Sequence, residues 1–423
     1  MNGTTRTVAL LATAGLLLAA CGREEEPQAE GTAEPESVAE GPAEGTVEVW
    51  AMGTEGEELG DFAAAFQEDN PDATVNVTAV PWDAAHDKIA TAIAAGETPD
   101  VSLIGTTWMG EFGAGGGLDP TPTDLIDEGV FFESAWDSTV VQGTSYGVPW
   151  YVETRVLFYR TDLAEAAGYS EPPATWDDLK DMVSKIQAGG AQWGISLPPG
   201  GTGSWQTFLP FAWQNGAEVF DGEAFTLDTP EVTEALEFYK SFFDEGLSPN
   251  TVLEPGALES GFVDGSIGAF ISGPWHVGLI NEQGGPEFAD KFAVAPLPEG
   301  EQSASFVGGG NLAVFADSDN RDAAWKFVQW LSEPETQQAW YETLNDLPAV
   351  SEAWESGALA DDEVLAVFGE QLETAVAPPA VPTWEQVAAQ IDAETERTVK
   401  GGQDPATATA TMQSKADSIG TGF

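Results

Sequence analysis

The chain has one cysteine, two histidines and few cations, and each scarcity excludes something. A single cysteine, Cys21, rules out an intramolecular disulfide framework and any zinc site built on several thiolates. With only His86 and His276 present, imidazole-based catalysis has few places to start. Fourteen Lys and Arg stand against 71 Asp and Glu, a net charge of −57. Phosphate contacts need clustered cations, so a nucleic-acid partner is excluded. The excess charge reads as a solvated acidic coat more readily than as a site for a cationic partner. Such a coat suits high ionic strength, where self-repulsion is screened, and the expectation is a halophilic setting. The sequence has no internal repeat, no Walker loop and no complete G-x-G-x-x-G followed by a ribose acid, so no nucleotide cofactor is expected. What is plentiful is the material of a globular protein. Of its 423 residues 42% are hydrophobic and 10% aromatic, enough for two or three domains.

The N-terminus is the most distinctive local pattern. Arg6 precedes an apolar run from Val8 to Ala20, near 13 residues and short of the roughly 20 that span a bilayer. It has the form of a signal-peptide core. Leu18-Ala19-Ala20-Cys21-Gly22 resembles the bacterial lipobox, which implies lipidation of Cys21 and residence on the outer face of the cytoplasmic membrane. An ordinary secretory signal with an incidental cysteine is the other reading. Gly22 to Gly45 holds eight Glu and three Pro with Val38 as its single large aliphatic residue, the composition of a disordered acidic tether.

From residue 46 the periodicity is that of an α/β fold. A strand at Val47–Ala51 precedes a helix with Leu59, Phe62, Ala63 and Phe66 on one face, ending at Asn70-Pro71. Val75, Val77 and Ala79 alternate as a second strand. Asp83 is placed to cap a helix carrying Ile89 and Ile93, and Asp100–Ile104 is a third strand. This alternation predicts a parallel sheet. A second α/β region follows: a strand at Val156–Tyr159, a helix capped by Thr175 with Asp178 as its capping-box partner, and a helix beginning at Pro230. Further strands are expected at Ile267–Ile271 and Asn311–Phe315, and a helix around Ala324–Leu331.

Six stretches, in order, resemble the family 1 extracellular solute-binding proteins, the group that includes maltose-binding protein: VEVWAMGTEGEELGDFAAAFQEDNP, ETPDVSLIGTTWMGEFGAGGGL, SYGVPWYVETRVLFYRTDL, SWQTFLPFAWQNG, GSIGAFISGPW and FVGGGNLAVF. The resemblance runs from Val47 to about Lys415. It implies a two-lobed periplasmic-binding-protein fold (type II) with a ligand cleft between lobes joined by hinge crossings near Thr154, Gln302 and Pro348. The first lobe would be residues 46–152 and 302–348, the second 153–301 and 349–423. It also implies a monomer that captures a carbohydrate for the permease of an ABC importer, with no enzymatic activity of its own.

A sugar presents hydroxyls at its edges and C–H patches on its faces, so its site needs carboxylates, amides and guanidinium forks together with aromatic rings. In Trp150-Tyr151-Val152-Glu153-Thr154-Arg155, Tyr151 lies at the lobe junction by resemblance, Glu153 aligns with a family position that accepts hydroxyl bonds, and Arg155 offers a fork. A purely structural Glu153–Arg155 pair on one strand face is the competing reading. Trp275, after Gly273-Pro274, occupies a position where the family presents a stacking ring. Trp108, Trp205, Gln206, Asn311 and Trp384 are further candidates, each against the alternative of core packing or fold support. Glu55 and His86 stand evenly between ligand contact and solvated surface. Gly105–Met109 lacks the Asp-Arg pair that maltose-binding members use there, which argues against maltose itself.

Two enzyme patterns compete with the binding reading. Gly143-Thr144-Ser145-Tyr146-Gly147 matches G-x-S-x-G, but Val148-Pro149 and a strand follow where a nucleophile elbow requires a helix. A glycosidase needs two opposed carboxylates at a set spacing, which this many acids leave open. Asp317–Asn320 is only a faint match to a calcium loop, because Asp322 and Val328 replace its required Gly and Glu, so no metal is expected. A scaffold lipoprotein that borrows the fold without transport is the third alternative.

Overall fold

The computed structural model describes residues 35–285 and 288–423. Cys21, the signal run and the first part of the acidic segment lie outside the described residues. Among the described residues no helix is long and apolar enough to cross a membrane.

Two sheets organise the chain. The larger one runs in the order Leu347–Pro348, Val148–Thr154, Ser305–Val314, Val101–Gly105, Gly45–Met52, Ala73–Val80, with Ala375–Val376 added beside the start of Ser305–Val314. The strands predicted from the N-terminal alternation pair in parallel, Gly45–Met52 lying between its two neighbours. Ser305–Val314 returns from far along the sequence and inserts antiparallel between Val101–Gly105 and Val148–Thr154. Helices Gly53–Phe62, Trp82–Ala95, Arg321–Leu331 and Pro334–Leu344 belong to this first lobe. In the second lobe Val156–Arg160 is flanked antiparallel by Ala269–Ser272 and Phe292–Ala295.

Alternation along the central strand of the small sheet divides its packing. Val156 and Phe158 face one apolar cluster, continuous with the core of the first lobe, while Leu157 and Tyr159 face the other. That second cluster is covered by helices Trp176–Ala188, Trp205–Gln214, Pro230–Asp244, Trp384–Gly401 and Pro405–Ile419. Local signals work as expected at Thr175, whose hydroxyl accepts the Asp178 amide at 3.2 Å and donates to its carboxylate at 2.8 Å.

Two expectations are corrected. The helix from Trp82 to Ala95 has Pro81 at its N-cap and no side-chain cap, so Asp83 sits inside the first turn. Residues 35–45, grouped with the free tether, run along the first lobe. Ala43 is fully buried and its amide donates to Asn70 Oδ1 at 2.8 Å, while Arg321 Nη2 donates to the Glu36 carbonyl at 2.8 Å. Lys326 Nζ likewise donates to the Pro42 carbonyl at 3.3 Å, so two of the chain's few cations hold the backbone of this acidic segment. Next to the expected crossing near Pro348, Phe132 donates its amide to the Ala349 carbonyl at 3.2 Å. Helix Glu363–Leu372 then lies across strands of both sheets, and Gln371 Oε1 accepts the Leu297 amide at 2.7 Å.

The crossings are stitched by side chains. Thr154 donates to the Phe306 carbonyl at 2.8 Å and Ser305 to the Arg155 carbonyl at 2.7 Å, both buried. Backbone groups at the lobe junction are thereby satisfied without ladder pairing.

Candidate functional site

A cavity of about 670 Å³ opens between the lobes. Its first-lobe wall is Trp82, Tyr151, Glu153 and the turn Asn345–Leu347. The second lobe contributes Pro274, Trp275, Gly278 and Asn281, and Asp362 and Leu365 lie at the junction. Two other grooves, about 760 and 750 Å³, hold none of the ligand-contact candidates read from the sequence, and neither contains an exposed tryptophan. The interlobe cavity does: Trp275 is 46% exposed and Trp82 37%, in a protein that buries most of its large apolar side chains.

Local sequence explains how these side chains get there. Gly309 has φ +122, and a Cβ there would meet the Tyr151 carbonyl at 2.1 Å, so only glycine lets the two strands run this close. A Cβ on Gly308 would stand 2.7 Å from Glu153 Oε1, and one on Gly310 3.0 Å from the Tyr151 ring. The Gly308–Gly310 run thus makes room for Tyr151 and Glu153. Trp275 opens helix Trp275–Gly284 immediately after strand Ala269–Ser272. The strand end is tied to that helix by Ser272 Oγ and His276 Nδ1 at 2.6 Å, and His276 Nε2 lies 3.4 Å from Glu259. Burial holds His276 below the usual imidazole range, with Arg155 acting in the same sense and Glu259 opposing.

Arg155 joins the parts. Its buried guanidinium ion-pairs Glu153, donates to Gln206 Oε1 at 2.7 Å, and lies 4.8 Å from the centre of the Trp275 ring. Both readings of Glu153 and Arg155 therefore hold as geometry: they pair along one strand face, and Glu153 also lines the cavity. Gln206 borders a second recess of about 370 Å³ between Thr107 and the Gly201–Gly203 loop. Helix Trp205–Gln214 is anchored there by Asp392, whose carboxylate accepts the Gly203 amide, the Ser204 hydroxyl and the Trp205 amide, each at 2.8 Å.

The first-lobe wall is electrostatically strained. Burial, followed by the neighbouring charge of Glu55, pushes Asp346 up to about 7, while the Trp340 indole, 3.0 Å from its carboxylate, acts the other way. The Tyr151 phenol is raised well above its ordinary value by burial and by Glu55, Asp346 and Glu153. Glu55 is therefore no solvated surface group. It is buried next to the wall.

Other candidates fall outside the cavity. Asn311 is wholly buried in the first lobe and donates to Ser138 Oγ at 3.1 Å, because the strand alternation turns its side chain away from the cleft. Trp384 is 0% exposed and packs edge-on to Trp205 at 5.0 Å, both inside the second core. Trp205 reaches the small recess only at its margin. Trp108 and His86 form a cluster behind Trp82, with centroids at 5.7 Å for Trp82–Trp108 and 5.3 Å for His86–Trp108, and His86 Nε2 contacts Glu111 at 3.0 Å. Trp82, Asp346 and Asn281 went unread in the sequence. Trp82 had a signal, since Pro81-Trp82 follows directly on a parallel strand, and ligand sites lie beyond the carboxyl ends of such strands. Asp346 had none: it depends on Asn345 taking a left-handed turn, φ +61, at the end of a helix. Ser145 of the G-x-S-x-G match is part of a hairpin, its hydroxyl within 2.9 Å of Thr121 and Thr139, and a strand follows it.

The chain resembles known proteins along most of its length. A model of the bacterial extracellular solute-binding proteins matches residues 52–338. A binding protein of Brucella abortus (strain 2308) is 31% identical over 363 residues, covering 84% of this chain and 88% of the relative. The maltotriose-binding protein of Pyrococcus abyssi is 28% identical over 317 residues, covering 71% and 66%. Among solved structures, the sugar-binding protein MalE of Xanthomonas citri superposes with a TM-score of 0.84 at 33% identity, covering 89% of this chain and 97% of that one.

Proposed function

The chain belongs to the bacterial extracellular solute-binding protein family and has its two-lobed fold, and on that premise we propose that it captures a mono- or oligosaccharide between its lobes and presents it to the permease of an ABC importer. The observation that carries this reading is the pairing of two exposed tryptophans, Trp82 and Trp275, on opposite walls of one cavity edged by Tyr151, Glu153, Asn281 and Asp346. Rings on two sides suit the C–H faces of a pyranose, and the polar groups between them suit its hydroxyls. In this reading Gln206 and Arg155 act at the junction, holding Glu153 in place. Hinge closure about the 154–156 and 302–305 crossings brings Trp275 towards Trp82. The maltotriose-binding relative and the sugar-binding structural neighbour point the same way.

The finer parts of the proposal are lipid attachment at Cys21, residence on the outer face of the cytoplasmic membrane, a monomeric state, and an acidic coat adapted to salt. Replacing Cys21 with Ala should release the protein from the membrane fraction.

The test is thermal unfolding of the purified full chain against a panel of sugars and polyols. A selective ligand at 100 times its dissociation constant adds about 2.7 kcal/mol and shifts the midpoint. A flat response across the panel from a folded sample overturns the carbohydrate reading. Release of reducing sugar from a bound glycoside would convert it to the glycosidase alternative; none is expected.

A further inference from the structure

The interlobe cavity is lined by several acidic side chains and by no basic one. Glu153, Asp346 and Asp362 line it, and no Lys, Arg or His does. The nearest cation, Arg155, is already committed to Glu153 and Gln206. Behind the wall stands Glu55, about nine-tenths buried, within reach of the Tyr151 phenol and without an ion-pair partner among the described residues. A carboxyl buried without a cationic partner leaves oxygen lone pairs for a donor to fill. Sugar hydroxyls can fill them, but they bring no cation to a wall that has none of its own. The walls add a second, independent feature: Trp82, Trp275, Tyr151 and Tyr341 all line the same space, and aromatic rings attract cations.

Resting on the carbohydrate reading above, we propose that the physiological ligand is an amine-bearing glycoside, its ammonium seated among Glu55, Asp346 and the Tyr151 phenol while Trp82 and Trp275 hold its ring faces. An ammonium offers three donors to carboxylate acceptors and balances the charge that neutral sugars leave. The elevation of Asp346 fits this reading, since a bound cation would return that carboxyl towards its ordinary range. A divalent metal fits less well, because no cluster of metal-ligating side chains occurs among the described residues.

The experiment is calorimetric titration of the full chain at pH 7 with chitobiose as the free amine, its N,N′-diacetyl form, maltotriose and spermidine. The free amine is expected to bind at least tenfold tighter than its acetylated twin, and that ratio to shrink at least fivefold in Glu55→Gln and in Asp346→Asn. Equal or tighter binding of the acetylated or neutral sugars overturns the proposal while the carbohydrate reading stands. Binding of spermidine with no binding of any sugar, or no binding at all by protein with an intact melting transition, overturns both.

Discussion

The first lobe meets the cavity with carboxylates and a phenol beside the Trp82 ring, whereas the second meets it with the Trp275 ring and the Asn281 side chain and no carboxylate. The difference follows from how each wall is built. Tyr151 and Glu153 lie on a strand of a broad mixed sheet, with glycines opposite, so polar side chains are held in place by backbone packing. Trp275 begins a helix tied to a small three-stranded sheet, and nearly half of its surface stays open. Both walls offer a ring for contact area, and the first adds direction and charge. The division teaches that affinity and selectivity should respond to different lobes.

The sharpest way to break the comparison lies inside the second lobe. Trp384 and Trp275 are the same residue type, yet one is fully buried and the other open to the cavity. Trp384→Ala should cost about 3–5 kcal/mol in urea unfolding. Trp275→Ala should cost less than about 1 kcal/mol of stability but weaken ligand binding at least about tenfold, or 1.4 kcal/mol. Equal losses of stability would mean that the open ring is structural.

Next in size is Arg155→Met, which strands Glu153 and Gln206 at the lobe junction. It should destabilise by about 2–3 kcal/mol in the same assay, less than a fully buried pair because Glu153 reaches cavity water. A variant as stable as the parent would remove Arg155 from its linking role.

The charged wall predicts a pH effect of its own. Folding raises the Asp346 carboxyl to about 7, so the folded state holds that proton more tightly than the unfolded chain. The stability this group contributes is full below about pH 4, falls as the pH rises from about 4 to about 7, and is level above that. Asp346→Asn cannot ionise, so its stability relative to the parent should improve by about 1–2 kcal/mol between pH 5 and pH 8, a figure reduced for solvent screening at the half-buried site. A pH-independent difference would sink the idea. The smallest effect is expected at the docked acidic segment. Arg321→Ala should cost about 1 kcal/mol or somewhat more, because it loses the exposed contact to Glu36 and also a partly buried pair with Asp119 at 2.7 Å. Removing residues 35–44 in the parent should cost less than that if Asp119 is the stronger partner.

Much of the fold was legible along the chain because its signals are local. Alternation marked Ala73–Val80 and Val156–Arg160, and Thr175 announced its helix with a capping box. Only the second half of Ser305–Val314 was legible, since the glycines at 308–310 interrupt its apolar pattern. The site was half legible. Tyr151, Glu153 and Trp275 reached the cavity, whereas Asn311 and Trp384 did not. A residue's type and its neighbours say what it can bind, but not which way a particular strand face turns.

The sequence by itself determined the acidic coat, the lack of disulfides, the order of most strands and helices, and the resemblance that names the family. Those properties are sums over composition or patterns within a dozen residues. Only the tertiary structure decided that Trp82 faces Trp275 and that Glu55 and Asp346 share one buried wall. It also decided that Arg155 joins Glu153 to Gln206. Each of those pairings joins positions far apart in the chain, and burial sets their energies. A sequence lists the charges, but how strongly they act depends on how much water the fold removes from around them.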